Sequence, residues 1–143
     1  MAKVNIKLPD EFLKKLSSLG ERTDEVAKKA LTEGGEIILA RTRTNLIGVI
    51  GKNTKTESRS TGQLVSSLGL SPVMVDRNGN YNIKIGFDEY RDDGSSNAGV
   101  ANIIEYGKHG QPAKPFLKNA KSSSKKECEE TMARKIEEEI KKL

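Results

Sequence analysis

From Val4 to Leu8 apolar and polar residues alternate as V-N-I-K-L, the period of two that belongs to a short strand. Pro9-Asp10 then opens a helical pattern that runs to Leu19, with Phe12, Leu13 and Leu16 on one face and Gly20 as its stop. Thr23, followed by Asp24-Glu25, reads as an N-cap with an acidic first turn, and predicts a second helix reaching about Thr44. Val26, Ala30, Leu31, Ile37 and Ile38 mark its expected buried stripe. Gly34-Gly35 interrupts that stripe. Each glycine costs about 1 kcal/mol relative to Ala in a helix interior, so either the helix kinks there or another element packs close.

The pattern then lapses. Residues 47–60 hold Gly48, Gly51 and a polar run without apolar period, which predicts a mobile loop. Thr61 caps one predicted helical turn to Leu68, with Leu64, Val65 and Leu68 inward. Leu70–Val75 and Tyr81–Phe87 are strand-like runs around Asn78-Gly79, a strong hairpin signal. Tyr81, Ile83, Ile85 and Phe87 alternate with polar neighbours, so one face of the hairpin is expected to be buried against the long helices. Residues 88–99 read as a second mobile loop, and Val100–Tyr106 fits strand or helix equally. From Pro115 onward Phe116, Ala120, Ser124, Cys128, Met132, Ile136 and Ile140 recur every four residues along a long helix. Each step of four turns the stripe by ~40°. Its first half is therefore expected on the chain's own sheet and its second half on something else, such as a neighbouring subunit. The whole reads as one α+β domain over residues 1–143, a long N-terminal helix and a C-terminal helix packed on a small antiparallel sheet with a central hairpin.

Composition sharpens this. At 34% hydrophobic and 31% charged, with no Trp, three Tyr and three Phe, the 143 residues predict a small aliphatic core, part of it completed by a partner subunit. No run approaches the length of a membrane span, and the N-terminus lacks a signal peptide's apolar region, so no membrane partner is expected. The lone Cys128 excludes an internal disulfide and reads as a small hydrophobe. Net charge is +5, but residues 1–40 balance, and residues 41–60 alone carry a net +4 through Arg41, Arg43, Lys52, Lys55 and Arg59. That segment is either a solvated surface or a contact for phosphates. Its loop is either a surface excursion or a basic arm facing DNA or a neighbouring subunit. The acids at Asp88, Glu89, Asp92 and Asp93 lack EF-hand spacing, and His109, between glycines, has no catalytic companion. No metal cluster, phosphate loop or triad is present, so no cofactor and no enzymatic activity are expected.

Two short motifs remain. The first is Thr61-Gly62-Gln63-Leu64-Val65-Ser66-Ser67. The second runs through Glu105-Tyr106-Gly107 to Pro112, Pro115-Phe116-Leu117 and Ala120. Together they resemble the neck, or head–tail joining, proteins of long-tailed bacteriophages and prophages, which carry Thr-Gly-x-Leu-x-x-Ser and Glu-Tyr-Gly … Pro-x-x-Pro-Phe-Leu-x-x-Ala. Ser60 stands where that family often has proline, and the loop before it is longer. The resemblance implies a structural protein that joins head to tail or completes the tail, as a ring of copies of itself. It implies contacts with other neck, connector or tail proteins and with passing DNA through phosphates. It places the chain in the virion, and in the host cytoplasm during assembly.

Residues 4–45 also support a rival reading. A strand, a helix, a glycine turn and a second helix resemble the ribbon-helix-helix DNA-binding regulators, in which the outward Asn5 and Lys7 would read bases as part of a dimer. The second helix is long for that fold, and a further hundred residues would go unexplained.

Overall fold

A computed structural model describes residues 3–49, 63–87, 97–107, 110 and 112–142. The predicted first strand is present as β1 (Val4–Lys7). It is followed by α1 (Asp10–Leu16), a 3-10 stretch (Ser17–Arg22) and α2 (Thr23–Val49). Next come α3 (Gln63–Ser67), β2 (Leu68–Leu70), β3 (Met74–Val75) and β4 (Tyr81–Phe87). Helices α4 (Asn97–Tyr106) and α5 (Phe116–Lys141) complete the chain. The α+β class and the two long helices over a small antiparallel sheet are as the pattern predicts.

Strand β4 is the centre of the sheet. On one edge it pairs with β1, Val4 opposite Ile85 and Ile6 opposite Ile83. On the other it pairs with β2 through Leu70 and Ile85, and with β3 through Val75 and Tyr81. The predicted strand Leu70–Val75 is broken at Ser71-Pro72-Val73, because Pro72 has no N–H for the ladder. Ser71 bridges the gap, donating its N–H to the Lys84 carbonyl at 2.8 Å and accepting the Lys84 N–H on its Oγ at 2.9 Å. At the hairpin end, the Asp76 carboxylate accepts the N–H groups of Asn78 and Asn80 at 2.8 and 3.0 Å. Gly79 takes φ +80°, the conformation for which glycine is favoured. Alternation puts Val4, Ile6, Ile83 and Ile85 on the inner face, all buried. The outer face presents three rows across the strands: Lys3 beside Gly86 and Gly69, Asn5 beside Lys84, and Lys7 beside Asn82 and Met74.

Helix α2 fills the inner face, and its paired glycines explain how. A Cβ at Gly34 would lie 2.8 Å from Met132 Cγ and 2.9 Å from Cys128 Sγ, both on α5. A Cβ at Gly35 would lie 3.2 Å from Leu70 Cδ2 and 3.3 Å from Ile83 Cγ2, both in the sheet. Adjacent helical residues point about 100° apart, so α5 and the sheet meet α2 on adjoining sides. Of the two alternatives left by the sequence, close packing is the one adopted; α2 runs unbroken through both glycines.

Several expectations shift. Helix α2 extends past Thr44 to Val49, because Leu46 is buried and Asn45 Nδ2 donates to the Phe116 carbonyl at 3.3 Å. It thus takes the first three positions of the predicted loop 47–60, whose remainder lies outside the described residues. Ile37, expected on the buried stripe, is only half-buried and lines a groove on the outer side of α2 and α5. Val100–Tyr106 is helical, and its helix starts at Asn97, so it takes the last three positions of the predicted loop 88–99, whose remainder lies outside the described residues. The every-fourth stripe of α5 does not divide between subunits: Phe116, Ala120, Ser124, Cys128, Met132 and Ile136 are all buried within this chain, and Ile140 is half-buried. A ridge of i+4 steps is inclined only about 26° to the helix axis, so a partner helix laid along it can follow it for many turns.

The far end of α5 is tied back to the start of α2. Glu139, 2% exposed, accepts from Arg22 Nη2 at 2.5 Å, with the Lys142 and Lys135 ammonium groups at 3.5 and 3.6 Å. The Arg22 hydrogen bond, against the opposing effect of burial, holds the Glu139 carboxyl below its ordinary value of 4.5. A depressed folded-state value means stability that is present above the unfolded value and lost as pH falls through the folded one. On acidification from pH 6, the melting temperature of the wild type should therefore drop more than that of Glu139→Gln. The two curves should converge at the acid end; parallel curves would remove this ion cluster from the stability of the fold.

Candidate functional site: a helix clasp and two basic surfaces

The second sequence motif is a structural clasp. Helix α4 ends in Glu105-Tyr106, and Gly107 follows at φ +79°, its N–H donating to the Ile103 carbonyl at 2.8 Å as a helix terminus requires. The chain crosses to Lys114, whose N–H returns to the Ile104 carbonyl at 2.7 Å. Pro115 then starts α5 without a capping side chain of its own. Glu105 supplies the cap from twelve residues upstream: its Oε2 accepts the Leu117 N–H at 2.9 Å and its Oε1 the Lys118 N–H at 3.0 Å. The carboxylate is 4% exposed and satisfies two of the orphan donors of the first turn, where the helix dipole also favours an anion. Behind the cap, Phe116 and Leu117 are buried, and the Phe116 ring meets Phe87 edge-on at 6.0 Å. Ala120 follows one turn on, fully buried.

The motif residues thus divide by task. Glu105 caps, Gly107 turns, Pro115 opens the helix, and Phe116, Leu117 and Ala120 pack. Pro112 lies exposed on the crossing, and Tyr106 is 65% exposed on the last residue of α4. In the first motif Leu64 is buried and Ser67 Oγ donates to the Leu64 carbonyl at 2.8 Å, closing α3. Thr61 and Gly62 lie outside the described residues, as does His109.

Of the basic segment, Arg41 and Arg43 are exposed on α2, while Lys52, Lys55 and Arg59 lie outside the described residues. Two residues along a helix is a rotation of about 200°, so the arginines do not share a face. Arg41 sits in a groove that also holds Glu127. The second basic surface was not singled out from sequence. It is the outer face of the sheet, where Lys3, Lys7 and Lys84 stand on adjoining strands. Its signal was available in the lysines of alternate positions, but which strands would be neighbours was not.

Chemistry is sparse. Burial first, then the nearby Glu129 charge, pushes the Cys128 thiol up to about 11, so at neutral pH it is a protonated packing group. Among the described residues no group of three or more His, Cys, Asp or Glu side chains is placed to hold a metal ion. No helix among them is long and apolar enough to cross a membrane.

In a comparison with known families, residues 10–107 match the family described as "Bacteriophage HK97-gp10, putative tail-component". A search of the curated proteins and one of the solved structures returned no match.

Proposed function

The chain belongs to the HK97-gp10-like family of phage tail components, and on that premise we propose that it joins head to tail or completes the tail of a long-tailed phage or prophage, as a ring of identical subunits. The observation that carries this is the extent of the family match, which runs from the start of α1 to Gly107, through α2, strands β2 to β4 and the capping Glu105. The clasp supports it: a short cap fixes the backbone beside an exposed tyrosine, the type of rigid aromatic anchor on which interfaces concentrate their energy. The partners are other copies of the chain and the neck, connector or tail proteins that abut it, in the virion and in the host cytoplasm while particles assemble. No catalytic step is assigned. The DNA that passes such a ring is met through phosphates, independently of sequence, by Lys52, Lys55 and Arg59 with whichever of Arg41 and Arg43 lies on the side of α2 that faces it.

The test is a clean deletion in the phage or prophage that encodes the chain. Heads and tails should accumulate unjoined or unfinished, and supplying the chain in trans should restore infectious particles. Normal particles from the deletion would overturn the reading. The ribbon-helix-helix alternative loses ground here, because β1 is committed to β4 within one chain and α2 is occupied along its length by α5 and the sheet.

A further inference from the structure

We infer that the outer face of the sheet is a docking surface for the phosphate backbone of duplex DNA. The inference rests on the connector reading, which brings the particle's DNA to this chain. Lys7 ends β1 and Lys3 immediately precedes it, four residues apart, roughly 13 Å, with Lys84 on the adjoining strand between them. Lys121 adds a fourth ammonium along the free edge of β1, where it donates to the Asn5 carbonyl at 3.1 Å. Among the described residues the outward rows hold no carboxylate. The acids at the margin are already engaged: Asp10 lies 3.5 Å from Lys7, and Asp76 accepts two N–H groups of its own turn.

A water-facing antiparallel sheet is common, and polarity alone would not identify a partner. Two features go further. The ionisable side chains of the three rows are all lysines, and with Asp10 beside Lys7 and Asp76 lining the same face the surface is still net positive, which fits a polyanion. One end row of the face is also stripped of side chains: beside Lys3, Gly69 lies opposite Gly86, and a Cβ at Gly69 would meet nothing within 4 Å. The result is a hollow of about 320 Å³ lined by Lys3, Gly69, Lys84 and Gly86 among others. Glycines inside strands weaken a sheet and mark places where another backbone approaches closely. A backbone-floored hollow with ammonium groups on its rim suits phosphate oxygens, which lysine meets as a point charge without reading bases.

The test is duplex binding by the full chain at several salt concentrations, with two duplexes of unrelated sequence. Wild type should bind both equally. Lys3→Ala/Lys7→Ala/Lys84→Ala should lose at least about tenfold in affinity at low salt, and its log–log salt slope should flatten by about 2 to 3, close to one per lysine removed. Lys3→Ala/Lys7→Ala, confined to exposed side chains, should show an intermediate loss and melt with the wild type. Arg41→Ala/Arg43→Ala reads the basic segment separately and should leave the sheet-dependent part intact. An unchanged slope in the triple variant, or no binding by the wild type, overturns the inference. So does equal binding to polyglutamate, which would make an acidic protein surface the occupant, or a strong preference between the duplexes. Failure here leaves the connector reading standing if the deletion still blocks assembly; a deletion without phenotype defeats that reading whatever the duplex result.

Discussion

Gly34→Leu should destabilise the chain by about 3 kcal/mol, the upper end of what overpacking a close-packed interior costs. The reason is local. Even a single Cβ would intrude to 2.8 Å from Met132 Cγ and 2.9 Å from Cys128 Sγ, and both belong to a stripe buried along α5. Gly34→Ala sets two effects against each other. Helix propensity returns about 1 kcal/mol, while the clash removes about 1–3, so a net loss of up to about 2 is expected. Gly35→Ala should be milder, since its neighbours stand at 3.2 and 3.3 Å and one is the end of the Leu70 side chain. Gly48→Ala has nothing within 4 Å and should stabilise by up to about 1 kcal/mol. Chemical denaturation of the four variants checks the order. If Gly34→Ala gained stability as Gly48→Ala does, the close approach of α2 and α5 would be refuted.

Glu105→Ala should cost about 2–3 kcal/mol, more than an ordinary surface cap, because a charged acceptor serves two N–H groups from a buried position. Glu105→Gln separates geometry from charge. It keeps one acceptor oxygen but turns an NH2 group toward the second N–H, so about half the cost or more should remain. Hydrogen exchange locates the effect: the amides of Leu117 and Lys118 should lose protection in Glu105→Ala, while the sheet amides of Ile83 and Ile85 change only with global stability. Unaltered protection at Leu117 and Lys118 would mean that the first turn is held by something other than this carboxylate.

The two variants probe features that differ in how far the sequence announced them. The Gly34-Gly35 pair was legible as a close approach or a kink, since glycine at the centre of a 27-residue helix otherwise only costs stability. What it approached was not legible, because α5 lies ninety residues away in the chain. Glu105 was visible as part of a motif, but its role was hidden: a cap delivered across twelve residues depends on the turns at Gly107 and Lys114, and no local rule ties a glutamate to a helix that begins after two prolines. The stripe on α5 shows the converse error. Its period is legible in the residues, and the winding points its second half at something other than the chain's own sheet, such as a neighbouring subunit; an inclined ridge instead keeps contact with α2.

What the sequence by itself determined was local and periodic. The alternation at Val4–Leu8 and Tyr81–Phe87, the Asn78-Gly79 turn and the apolar spacing of α2 and α5 established the elements and the α+β class, because these follow from side-chain direction and backbone conformation over a few residues. The tertiary structure decided which elements are neighbours. It set β4 between β1 and the broken strand β2–β3, turned one glycine of a pair to a helix and the other to the sheet, and aligned three lysines on a single outer face. Such pairings are chosen by burial summed over the whole domain, which joins residues far apart in the chain and leaves no periodic trace within either partner.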